Sequence, residues 1–89
     1  MRIESLHDPV EVSVHFGRRG MRPVWFIWQG RRRPVHEVTC VWNERDGSLL
    51  YRCFSVTDQR ALYELRFDVR ALRWWLTKTA CEVAQGPEA

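Results

Sequence analysis

From Val10 to Phe16 apolar and polar residues alternate strictly: Val10, Val12, Val14 and Phe16 on one side, Glu11, Ser13 and His15 on the other. A period of two marks a half-buried β-strand. Gly17 to Met21 reads as a loop, and Arg22 to Gln29 as a second strand. Pro23 falls near its start, where a missing ladder donor matters least. Val24, Phe26 and Trp28 share one face of this strand, with Trp25 and Ile27 on the other. Gly30 turns the chain. A third strand runs from about Arg32 to Asn43; both its faces are partly apolar, which predicts a bulge or a strong coil. Asp46-Gly47 has the chemistry of a type I′ turn. Centred there, a two-residue turn sets Cys40 opposite Cys53 and Trp42 opposite Tyr51 in the fourth strand, Leu49 to Val56. Thr57 to Arg60 is a polar turn. Ala61 to Phe67 forms the fifth strand, with Ala61, Tyr63, Leu65 and Phe67 together. Asp68 to Leu72 makes a loop or a single helical turn before a sixth strand, Arg73 to Thr79.

The stretch from Gln59 to Trp75 also admits a helical reading, because Leu62, Leu65, Val69 and Leu72 lie three or four apart. Asp68 and the alternation of rings favour a hairpin. The predicted fold is therefore all-β: a six-stranded antiparallel meander forming a small barrel or a strongly coiled sheet. The 89 residues suit one domain. Residues 1–9 are expected to form an N-terminal arm, 10–80 the β domain and 81–89 a flexible C-terminal tail. No apolar run is long enough for a membrane span, and the first residues lack the apolar segment of a signal peptide. The expected setting is cytoplasmic, without membrane contact.

Charge adds an asymmetry that the net +3 conceals. Between Val12 and His36 there are six arginines and no acid, while the remainder carries eight basic and eleven acidic residues. Thirteen of the fourteen basic residues are Arg. High genomic G+C favours Arg over Lys but does not explain clustering. The guanidinium is a planar fork that suits phosphate and stacks on rings. Arg18, Arg19, Arg22, Arg31, Arg32 and Arg33 are therefore candidate phosphate contacts, with Trp25 or Trp28 as a platform for a base. Such stacking contributes roughly 1–3 kcal/mol per base in single-strand binders. The plainer reading makes the tryptophans core and the arginines a solvated rim.

Other chemistry is sparse. Three cysteines (Cys40, Cys53, Cys81) without a CxxC pair are not a disulfide framework. His36 and Cys40 share a face of the third strand, but i,i+4 positions on a strand lie about 13 Å apart. Without a bulge they do not share a metal ion, and buried thiols are the better reading. The histidines and carboxylates form no nucleophile elbow, HExxH, P-loop or paired-acid motif. Neither enzymatic activity nor a cofactor is expected. Glu64 suits a surface salt bridge and Asp68 a turn cap.

The order of motifs resembles a known family. Val14-x-Phe16, Arg22-Pro23-x-x-Phe26-x-Trp28-x-Gly30-Arg31, Val35, Val38 and Trp42 are followed by Tyr63-Glu64-Leu65, Asp68 and Arg73-Trp74-x-Leu76. This is similar to a small bacterial domain family of unknown function, over about residues 10–78. Its members occur alone or near translesion DNA polymerase genes of the inducible mutagenesis cassette. The Phe-x-Trp-x-Gly-Arg hairpin is its most specific part. The family often has an aromatic residue shortly after Gly-Arg, where this chain has Arg33. The resemblance implies a domain and a genomic neighbourhood, not an activity.

The expected function is a non-catalytic binding module that contacts nucleic-acid phosphates through the arginine-rich lobe. The alternative is a protein-interaction adaptor or homodimerising domain that uses an exposed Trp/Arg patch, for example against a DNA-repair polymerase component.

Overall fold

The computed structural model describes residues 2–81. These form seven strands: β1 (Arg2–Gly17), β2 (Gly20–Trp28), β3 (Arg31–Pro34), β4 (Glu37–Asp46), β5 (Leu49–Thr57), β6 (Ala61–Asp68) and β7 (Arg73–Cys81). All pairings are antiparallel, in the order β3-β2-β1-β7-β6-β5-β4. The all-β antiparallel expectation is therefore met, with one strand more than predicted. No helix among the described residues is long and apolar enough to cross a membrane.

The extra strand arises because the predicted third strand breaks at Val35-His36. Its first part, β3, pairs with β2, and its second part, β4, pairs with β5. The Val35 amide donates to the Val24 carbonyl at 3.0 Å, and the His36 amide to the Thr57 carbonyl at 2.8 Å. Two adjacent residues thus bond to opposite ends of the sheet. Laid flat, seven strands would hold their edges about 29 Å apart at the usual strand spacing. The link from Pro34 to Glu37 spans at most about 10 Å. The sheet must curl, and it stays open, with β3 and β4 as its edges. Register shifts at Ser13/Val14, Ser5/Asp8, Val38/Cys40 and Glu64/Leu65 supply the extra twist. The bulge expected in the third strand is the one at Val38/Cys40.

Residues 2–9 do not form an arm. They are the first half of β1, laddered to β7 from Arg2↔Cys81 to Pro9↔Trp75. The second half of β1 pairs with β2. Of the expected tail, Cys81 closes β7 and the rest lies outside the described residues.

The curl encloses Phe26, Phe54, Val56, Tyr63, Leu65, Trp74 and Leu76, with Val10, Val12 and Val14 packed against them. Phe16, expected on the same face, is 75 % exposed at the β1–β2 hairpin tip. Burying each large apolar side chain contributes roughly 1.5–3 kcal/mol. The β4–β5 register differs from expectation: the turn is Gly47-Ser48, and Asp46 pairs with Leu49. Cys40 consequently faces Ser55, while Trp42 faces Cys53. Only the first turn residue has positive φ (Gly47, 63°), the pattern of a type II′ turn.

Candidate functional site

β2 and β3 are joined by Gln29-Gly30, both in the left-handed region with φ of 55° and 71°. Positive φ at both central residues is what a type I′ hairpin requires. The hairpin pairs Trp28 with Arg31, Ile27 with Arg32 and Phe26 with Arg33. Strand alternation then sends Arg31 and Arg33 to the Trp28 side and Arg32 to the Trp25 side. Arg32 lies 3.9 Å from the Trp25 ring centre, and Arg33 lies 4.8 Å from that of Trp28. Both predicted platforms therefore already carry a guanidinium on their rings. They also face opposite sides of β2 and do not form one stacking surface.

Trp28 is fixed further by its indole N–H, which donates to Asp8 Oδ2 at 2.9 Å, and by edge contact with Tyr63. Arg33 Nη1 donates to the Tyr63 hydroxyl at 3.4 Å, and that hydroxyl donates to Asp58 Oδ2 at 3.2 Å. Burial pushes the Tyr63 phenol above its ordinary pKa, with Arg33 opposing. It stays protonated at neutral pH and keeps its donor. Burial also works to raise the Asp58 carboxyl. The backbone amides of Arg60 and Ala61 and the Tyr63 hydroxyl outweigh it, and the net shift is downward. Asp58 is thus a fixed anion that orders the β5–β6 turn.

These groups line a cleft of about 640 Å³ at one end of the sheet. Arg31, Arg32 and Arg33 of β3 and Arg60 of the β5–β6 turn line it, with the Arg32 guanidinium laid over Trp25 on the other face of the hairpin, and Trp28 and Tyr63 supply ring surface. Glu4 and Asp58 are its acids. The ion pairs among the described residues involve Arg66 with Glu44 and Lys78 with Glu64, so none engages an arginine of the cleft. Arg60, Tyr63 and Asp58 were not anticipated. Their arrival depends on the curl that brings the β5–β6 turn beside β3, and no local pattern signals it.

The six predicted arginines do not form one lobe. Arg18 and Arg19 make the β1–β2 turn and Arg22 follows it, at the opposite end of β2 from Arg31. Eight strand steps lead from Gly20 to Trp28, about 26 Å. Arg18, Arg19 and Arg22 line a separate groove with Val38, Val41 and Phe54. Trp25, Trp28, Trp42 and Trp75 are half-buried and Trp74 is buried.

Elsewhere, His36 Nε2 lies 3.2 Å from Gln59 Nε2, Cys40 is exposed and Cys53 is buried, so only one thiol of that group fits the buried reading. Cys53 sits on the outer sheet face in the row Trp42–Cys53–Arg66–Trp75. There Arg66 pairs with Glu44 and lies 4.7 Å from the Tyr51 ring centre, Trp42 donates to Glu44 at 3.1 Å, and His7 stacks on Trp75 at 4.2 Å. Glu64 pairs with Lys78, and Asp68 caps the β6–β7 turn through the Arg70 and Ala71 amides, both as expected. Among known proteins, the chain matches no family model, no curated protein and no solved structure.

Proposed function

We propose that this domain is a non-catalytic nucleic-acid-binding module, with Arg31 and Arg60 holding phosphates in the cleft. The observation that carries this reading is the convergence of arginines from two distant segments on one cleft beside aromatic rings, with no ion pair to them among the described residues. Arg33 has a different role: bonded to Tyr63 and Gln29 and laid on Trp28, it stiffens the wall. The guanidinium planes over Trp25 and Trp28 offer stacking surface to an unpaired base.

Anisotropy titration of labelled single-stranded and duplex oligonucleotides at about 50 and 200 mM salt tests this, because each neutralised phosphate releases counterions. Two phosphate contacts predict a slope of log K against log salt of about −1.4 for single strands. The double variant R31A/R60A should flatten it. Absence of binding at the lower salt overturns the reading.

A further inference from the structure

The curl leaves a seam. β2 meets β3 from Trp25 to Trp28 and Val35 bonds to Val24, so Gly20 to Pro23 have β1 as their ladder neighbour and, among the described residues, an open opposite edge. Among the described residues β4 pairs only with β5, and its other edge is open along Glu37 to Asp46. These two edges flank a groove of about 510 Å³. Its floor is apolar, from Met21, Val38, Val41 and Phe54, and Val41 is 41 % exposed there. Arg18, Arg19 and Arg22 form its rim, and among the described residues no carboxylate lines it.

We infer that this seam takes up an extended acidic peptide of a partner protein as an added β-strand. Three features point to that occupant. An open strand edge offers a row of unpaired amides and carbonyls that another chain can pair with. An apolar floor with a basic rim selects a strand whose side chains alternate apolar and acidic, because alternate residues point to opposite faces. Charge complementarity fixes the sign: three arginines and, among the described residues, no acid. A nucleic acid has no backbone ladder to offer either edge and leaves the apolar floor uncovered. The residues involved differ from those of the arginine cleft, so either reading can fail alone.

The probe is a fluorescein-labelled peptide that alternates valine with glutamate, titrated against the full chain by anisotropy. Saturable binding is expected, with amide shifts along Thr39 to Asn43. Charge reversal by R18E/R19E/R22E should weaken binding about tenfold or more, since like charges at an interface cost several kcal/mol. V41E places an anion on the floor at an already exposed position and should do the same, with an unchanged melting temperature confirming the fold. R73E, a charge reversal outside the groove, should change nothing. The inference is overturned if the peptide does not bind, if its lysine analogue or a backbone N-methylated version binds equally, or if an oligonucleotide displaces it. It is overturned equally if sedimentation shows a dimer that V41E dissociates, since the occupant is then a second copy of this chain.

Discussion

Asp58 is held by three donors: the Arg60 and Ala61 amides at 2.9 Å each and the Tyr63 hydroxyl. Its carboxyl sits below its ordinary pKa despite partial burial, so it contributes stability above the unfolded-chain value of about 3.9. That contribution is lost as pH falls through the folded-state value. D58N should cost about 1 kcal/mol at neutral pH, because an amide oxygen replaces a charged acceptor. The gap between wild type and D58N in urea midpoints should close below about pH 4. Glu44 shifts the same way, mainly through the Trp42 indole donor, with burial opposing and Arg66 assisting. Cys53 runs the other way: burial pushes its thiol up and keeps it neutral. A thiol-reactive dye should therefore label Cys40 and Cys81 in the native protein and reach Cys53 only after denaturation.

At the scale of elements, turns and ladders divide the burden. Gly30 has φ of 71° and open space around its Cα, so G30A pays only the backbone cost of a left-handed residue, about 1–2 kcal/mol. Q29N should stabilise the same hairpin by a few tenths of a kcal/mol, since Asn tolerates positive φ better than Gln. Chemical denaturation of the two variants measures both. Deleting residues 1–9 should abolish cooperative unfolding by circular dichroism: it strips the β7 ladder and the Asp8 partner of Trp28. The strands after Leu49 were legible within two residues because their alternation is clean: Tyr63 and Leu65 inward, Glu64 and Arg66 outward. Ser5, His7 and Asp8 have loop chemistry and predict a shorter first strand, but pairing with β7 overrides that preference. The Asp46-Gly47 signal misplaced the turn by one residue. In the observed register Val41 lies opposite Phe54, an apolar match; the expected one would have paired Val41 with Arg52. Cross-strand packing decided where local turn propensity pointed elsewhere.

Across the whole molecule, two continuous segments are each shared between two ladders: β1 serves β7 and β2, and β3–β4 serves β2 and β5. Neither part of the sheet can come away without pulling on the other, and a single cooperative transition is expected in urea, with fluorescence and circular dichroism coincident. The arginines were legible as an acid-free window, but their grouping was not. The length of β2 puts them at opposite ends, and the curl then recruits Arg60 from a turn nearly thirty residues downstream of Arg31. The Val35-His36 link has a mechanical consequence. It is a covalent spine, so the two sheet edges meet there like the covers of a book and cannot part at that end. Breathing must fan outward from it, widest toward the Arg18-Arg19 tip. Lengthening the spine by a few glycines would turn a hinged gap into a loose one.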